Sequence, residues 1–303
     1  MTQIITALSE VSDRYDALFC DLWGCVHDGL SPFLEAVAAM RAFRARGGTV
    51  MLVTNSPRPH VPVRQQLEQI GVPEDAYDGI ATSGDSARAA MFRGAVGKNI
   101  YFIGQPQDQV FFSPLGLIEN PIAIKQVPIE EAEGIVCCGP FNTLADLEEM
   151  RPQFLLAKTK GLKLLCANPD IVVDRGHTRE WCAGALAKLY TEMGGESLYF
   201  GKPHPPIYDL ARRRLDALGK SIPDHRILCV GDGVLTDIDG ALGEELDSLF
   251  ITGGLAARET RTVHQPDPDA LEAYLANEMI PVSYTHLRAH ETPEHLVCRL
   301  LLE

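Results

Sequence analysis

No stretch of this 303-residue chain approaches the ~18–20 consecutive apolar residues that a membrane span needs. The opening MTQIITALSEVSDRYD lacks the basic segment and apolar run of a secretory leader. Basic residues are scarce, 27 Lys and Arg against 41 Asp and Glu, for a formal charge of -14. That balance argues against nucleic acid or anionic membrane as a main partner, since both reward a basic face. It leaves phosphorylated metabolites open, because a few local donors overcome a distant negative field. Aromatic residues make up 7%, charged ones 22% and hydrophobic ones 46%; these near-average fractions exclude a disordered, collagen-like or coiled-coil chain. Among eight cysteines there is no C-x-x-C pair and no zinc-finger spacing. Five of them, Cys20, Cys137, Cys138, Cys166 and Cys229, sit in short apolar runs and read as small buried hydrophobes. These features together predict a cytoplasmic protein.

What is present is a repeated strand–helix rhythm. ALFCDLW (17–23) reads as a strand, followed by a helix opening on Pro32 and ending at Gly47 and Gly48. TVMLVTN (49–55) reads as a second strand, followed by a helix around VPVRQQLEQIG. SLYFG (197–201), the helix PPIYDLARRRLDALG, RILCVGD (226–232), the helix TDIDGALGEEL and DSLFIT (247–252) continue the pattern. Continuous apolar strands between amphipathic helices predict an α/β fold, a Rossmann-like doubly wound parallel sheet. The interval between Thr54 and Lys202 is too long for two βα units of roughly 30 residues. It has its own strands, NIYFIG, EGIVCC and LKLLCAN, and its own helices. The predicted organisation is a core over 1–79 and 179–282 interrupted by an inserted α/β domain over 80–178. The last segment, 283–303, resembles a translated sequencing adapter and is expected to be a non-native tail; His286, His290, His295 and Cys298 within it would otherwise suggest a zinc site.

In an open parallel sheet the functional crevice lies beyond the carboxyl ends of the strands. Asp21, Thr54 and Asp232 end predicted strands, and Lys202 follows SLYFG. A carboxylate at Asp21 suits a nucleophile towards phosphorus, forming an acyl phosphate. Bringing a carboxylate to an anionic phosphate requires a divalent cation and a fixed ammonium. Asp232 and Asp237, in GDGVLTD, suit Mg²⁺, a hard ion that prefers oxygen ligands. Lys202 would neutralise the nucleophile and a phosphate oxygen. The Thr54 hydroxyl and the Asn55 backbone N–H, with Ser56 beside them, would hold other phosphate oxygens.

These residues carry a resemblance. DLWGCVHDG (21–29), VTNS (53–56), GKPHPPIYDLA (201–211) and GDGVLTDIDGA (231–241) resemble motifs I to IV of the haloacid dehalogenase superfamily. The large insertion between motifs II and III is similar to that of class IIA, the NagD-like phosphatases with a C2-type cap. The resemblance implies a Rossmann-like core, Mg²⁺ dependence, phosphomonoester hydrolysis and caps that meet across a homodimer. By position it makes Asp21 the nucleophile and a metal ligand, Thr54 and Lys202 phosphate binders, and Asp232 a metal ligand. CANPDIVVDRG (166–176) resembles the substrate-facing cap loop, which makes Asn168, Asp170 and Arg175 candidates for specificity.

One position departs from the family. The usual motif I is D-x-D-G, whose second aspartate protonates the leaving group; here Trp23 stands there. Its backbone carbonyl can still coordinate Mg²⁺, but its side chain moves no proton, a function typically worth ~10²–10⁴ in rate. The form D-x-W-G-x-x-H-D-G resembles a branch of class IIA. His27 or Asp28 would supply the missing acid–base function, or would only shape the loop. Alternatively the protein turns over only good leaving groups, or binds a phosphorylated ligand with little turnover. A dehalogenase is a remote reading, since the acidic GDGVLTD set argues for a metal. Arg58 and His204 are further candidates for substrate contact, and His177 and Arg179 lie near the return from the insertion.

Overall fold

The computed structural model describes residues 3–113, 120–175, 178–278 and 296–298. In chain order its elements begin with β1 (Gln3–Ile5), β2 (Ala17–Cys20), α1 (Leu34–Ala45), β3 (Thr49–Thr54), α2 (His60–Gln69) and β4 (Gly79–Thr82). Next come α3 (Ser83–Phe92), β5 (Asn99–Ile103), β6 (Lys125–Gln126), β7 (Gly134–Cys137), α4 (Arg151–Thr159) and β8 (Lys163–Cys166). The hairpin strands β9 (Val172–Arg175) and β10 (Thr178–Trp181), then α5 (Ala183–Glu192), β11 (Glu196–Tyr199) and α6 (Pro205–Ala217) follow. Last are β12 (Ile227–Gly231), α7 (Asp239–Gly243), β13 (Asp247–Ile251), α8 (Pro268–Glu278) and β14 (Leu296–Cys298). The chain divides into two compact units, 1–54 with 67–80 and 211–303, and 55–66 with 81–210. No described helix is long and apolar enough to cross a membrane.

The first unit is built on the larger sheet, in the order β1-β14-β13-β12-β2-β3-β4. Every residue of β2, β3 and β12 is buried, as expected of strands covered on both faces. The pairs β12·β13, β12·β2 and β2·β3 are parallel, which establishes the α/β class. Asp16 fastens the amino ends of three strands. Its N–H donates to the Arg226 carbonyl, its carbonyl accepts from Thr49 N–H, and its carboxylate accepts two bonds from the Arg226 guanidinium at 2.7 and 2.9 Å. Helix α1 starts at Leu34, two residues after the expected Pro32, and turns off at Gly47, whose φ of 97° is open to glycine. Arg44 on α1 makes two bonds to the Asp78 carboxylate, which also accepts from Val50 N–H, so the helix is clasped to β3. Of the segment 283–303, set aside on sequence as foreign to the fold, Leu296–Cys298 forms β14, parallel to both β1 and β13. His286, His290 and His295 lie outside the described residues.

The second unit carries a five-stranded parallel sheet in the order β11-β8-β7-β5-β6. Side chains alternate between two cores, one on each face. Ile135 and Leu164 face a cluster with Phe154, Leu186 and Tyr190, whereas Val136 and Leu165 face one with Met91, Ile100 and Phe111. One expectation fails here. SLYFG was assigned to the core sheet, but β11 pairs with β8 at the edge of this second sheet. A short apolar run does not reveal which sheet it joins, and the half-buried pattern of β11 is that of an edge. The second unit, with β11 in its sheet, runs on to 210.

Candidate active site

Within the first unit the chemistry gathers at the carboxyl ends of β2 and β12. Cys20 lies opposite Val230, and Asp21 N–H donates to the Val230 carbonyl at 2.8 Å, so Asp21 and Asp232 leave neighbouring strands together. After Asp21 the chain folds tightly: Val26 N–H reaches the Leu22 carbonyl and Gly24 N–H the His27 carbonyl, with Gly24 at φ 74°. Asp232 accepts from Leu255 N–H at 2.9 Å and lies between two glycines. A Cβ at Gly24 or at Gly254 would stand 2.0 or 2.1 Å from its Oδ2. Asp237 sits in a π-helical turn, Val234–Ile238, and accepts from Gly233 N–H at 3.1 Å. Thr54, the last residue of β3, is buried.

Oxygens of Asp21 and Asp232 and the sulfur of Cys25 lie within 4.8 Å of one another, and all three residues are buried. Burial first, then the Asp232 and Asp21 carboxylates, push the Cys25 thiol well above its usual pKa. The protonated thiol leaves the carboxylate oxygens as the hard donors. Two buried carboxylates at this spacing repel unless a cation or a proton lies with them. The donor set fits a hard divalent cation. Cys25 was not singled out on sequence; its place four residues after Asp21, in a loop turned by Gly24, was the available signal.

The motif I loop is arranged around Trp23. Its indole lies where a Cβ of Gly29 would be, 2.4 Å from Cζ2, and meets the His27 ring edge-on at 5.1 Å. His27 is buried and its Nδ1 accepts from Gly29 N–H at 2.9 Å; burial takes its pKa down to about 4. Near neutral pH His27 is uncharged, with its proton on Nε2. Asp28 is exposed, and its Oδ1 accepts from Ser31 and Leu30 N–H at 2.7 and 2.8 Å. Those bonds, Ser31 first, hold its carboxyl below the usual range. Both side chains accept main-chain bonds from within the loop.

The remaining candidates lie in the second unit. Asn55 is buried, and its Oδ1 accepts from Lys202 N–H at 2.7 Å while its Nδ2 donates to the Lys202 carbonyl at 3.0 Å and to Asp170 Oδ1 at 2.8 Å. Asn168 Oδ1 in turn accepts from Asp170 N–H at 3.0 Å. Gly201 makes the approach feasible, because a Cβ there would lie 2.4 Å from Asn55 Oδ1. Lys202, itself buried, thus follows the edge strand β11 with its main chain clasped by Asn55. Sequence reasoning nominated the Asn55 backbone and missed its side chain; Asn168 and Asp170, nominated for substrate, make these contacts within the unit. Ser56 Oγ accepts from Arg58 N–H, and Arg58 donates to Gln66. His204 stacks on Tyr199 at 4.9 Å. Arg175 ends β9 opposite Thr178, Arg179 lies opposite Asp174, and His177 is outside the described residues. His60 and Asp85, paired at 2.8 Å, were not anticipated; with Gly84 N–H bonded to the Ser56 carbonyl they pin the segment after Asn55 to α3.

Comparison with known proteins places this geometry. A family model described as haloacid dehalogenase-like hydrolase matches residues 18–118, and a second, HAD-hydrolase-like, matches 199–276. The crystal structure of a hydrolase of the haloacid dehalogenase-like family from Brucella suis 1330 is 41% identical, covering 88% of this chain and 96% of that one with a TM-score of 0.79. The chain belongs to the haloacid dehalogenase-like family of hydrolases. Two further relatives are less similar. The 5'-nucleotidase YutF of Bacillus subtilis is 25% identical over 84% of this chain and 93% of its own length. The D-glycerol 3-phosphate phosphatase of Mycobacterium tuberculosis is 24% identical over 82% of this chain and 66% of its own. The first matched region holds Asp21, Trp23 and Thr54, and the second holds Lys202, Asp232 and Asp237.

Proposed function

We propose that this family member hydrolyses a phosphomonoester of a small metabolite through a phosphorylated Asp21, as a NagD-like, class IIA enzyme whose inserted domain acts as a C2-type cap. The observation that carries the reading is the buried Asp21–Asp232 pair at neighbouring strand ends. A nucleotidase and a glycerol phosphate phosphatase among the relatives support it. A Mg²⁺ ion held by Asp21, Asp232 and the Trp23 carbonyl, with Asp237 behind them, would supply charge screening between carboxylate and phosphate. An Asp21 carboxylate oxygen attacks phosphorus, and the bond from phosphorus to the leaving oxygen breaks. Water then attacks phosphorus, the bond to Asp21 breaks, and inorganic phosphate leaves. Lys202 neutralises a phosphate oxygen, while Thr54, Asn55 N–H and Ser56 bind the others. Arg58, Arg175 and His204, with Asn168 and Asp170, lie on segments that shape the substrate pocket. The enzyme works in the cytoplasm as a homodimer joined through the cap.

Trp23 and the neutral His27 favour leaving groups that depart without a proton. The same pair supports a second reading, a phospholigand-binding protein with little turnover. Incubation with p-nitrophenyl phosphate and Mg²⁺, alongside Asp21→Asn and a chelator, separates them. Turnover lost in the variant and on chelation supports the enzyme. Absence of turnover over a broad phosphomonoester panel, with phosphate binding retained, overturns it in favour of the second reading.

A further inference from the structure

We propose that Asn55 and Asp170 are positioning residues, which fix the main chain of Lys202 and thereby the origin of its ammonium group. The inference rests on the reading of Lys202 as a phosphate-binding residue. A lysine side chain has four rotatable bonds, so the place of its nitrogen depends on how firmly its Cα is held. Here both main-chain polar groups of Lys202 are taken by a single side chain, Asn55, through Oδ1 at 2.7 Å and Nδ2 at 3.0 Å. An amide is suited to that double bond because it offers one acceptor and two donor hydrogens. It must also be prevented from turning over, since a reversed amide would present a donor to Lys202 N–H and an acceptor to its carbonyl. Asp170 Oδ1, 2.8 Å from Nδ2, takes the second amide hydrogen and allows only the observed orientation. Asn168 Oδ1 holds Asp170 N–H and so fixes the acceptor itself. Asn55 and Lys202 are both buried, so water does not replace a lost partner freely.

This chain of contacts gives a signature that loss of packing does not. Asn55→Asp keeps the shape and the acceptor for Lys202 N–H, but sets a carboxylate oxygen against the Lys202 carbonyl and the Asp170 carboxylate. Turnover of p-nitrophenyl phosphate is expected to fall by about 10- to 100-fold, the loss of one or two bonds to buried groups at 1.4 kcal/mol per tenfold. Inorganic phosphate, titrated by calorimetry, is expected to bind correspondingly more weakly. Adding Asp170→Asn supplies a donor to the new carboxylate and is expected to recover part of both losses, the Lys202 carbonyl remaining without its donor. In a Lys202→Ala background, Asp170→Ala is expected to cost less turnover than it does in the wild type, because the part of its effect that passes through the ammonium is already lost. Unchanged turnover in Lys202→Ala overturns the reading of Lys202 and this proposal with it. Lost turnover in Lys202→Ala, with wild-type turnover and phosphate affinity in Asn55→Asp, overturns the positioning role alone. Failure of Asp170→Asn to rescue a folded Asn55→Asp protein overturns the part assigned to Asp170.

Discussion

Alanine at Gly24 is expected to damage the protein in two separable ways, and two other glycines allow each to be measured alone. Gly47 has φ 97° and open space around a Cβ, so Gly47→Ala carries only left-handed backbone strain, about 1–2 kcal/mol. Gly254 has an ordinary φ, but its Cβ would stand 2.1 Å from Asp232 Oδ2, where ordinary contact begins at 3.4 Å. The carboxylate must then move by about 1 Å and give up the Leu255 N–H, costing about 1–3 kcal/mol for a buried acceptor. Gly24→Ala combines both, with φ 74° and a Cβ 2.0 Å from the same oxygen, for about 2–5 kcal/mol. Urea unfolding followed by circular dichroism reads the three stabilities. The Mg²⁺ concentration for half-maximal turnover of p-nitrophenyl phosphate reads the state of Asp232; it should rise in Gly24→Ala and Gly254→Ala and stay put in Gly47→Ala. The reasoning is refuted if Gly24→Ala is no less stable than Gly47→Ala and keeps the wild-type Mg²⁺ requirement.

Stability should fall on acidification through His27. Its folded pKa of about 4 lies below the reference 6.5, so between these values the unfolded chain binds a proton that the folded one does not. The contribution is complete above pH 6.5 and is lost as pH falls towards 4, by at most about 3 kcal/mol. In His27→Gln the slope of urea stability between pH 7 and 4 should be shallower, and an unchanged slope would count against the assignment. Trp23→Asp restores a proton donor beside Asp21, so turnover of an alkyl phosphate relative to p-nitrophenyl phosphate should rise by ~10² or more. An unaltered ratio would show that the indole is not what limits the leaving group.

The core of the fold was legible because its strands are buried on both faces and so appear as unbroken apolar runs. TVMLVT and ILCVG each became a strand within a residue of its expected limits, and ALFC became one that ends three residues before the expected Trp23. Asp21, Thr54 and Asp232 were legible for the same reason, since they end those runs. SLYFG was misplaced because apolar content marks a strand but not its partner, and the partner was LKLLCAN rather than a core strand. Cys25 escaped notice because a cysteine without C-x-x-C or zinc-finger spacing gives no local sign of a site until the chain turn at Gly24 brings it within reach of Asp21. The work of the Asn55 side chain escaped for a different reason. Its partners Asp170 and Lys202 stand 115 and 147 positions away, a separation at which local pattern says nothing about contact.

The pairing of β2 with β12 also sets a timetable. Ala17 lies opposite Ile227, 210 residues later in the chain. At roughly 5–20 residues per second, a ribosome needs roughly 10–40 s to deliver the second strand after the first. During that interval the whole of 81–210 emerges, with all five strands of its own sheet. The inserted unit can therefore complete its fold on the nascent chain while β2 has only β3 as a partner. Strand β2 waits with one apolar edge unpaired, and the order of synthesis leaves that edge in need of shielding.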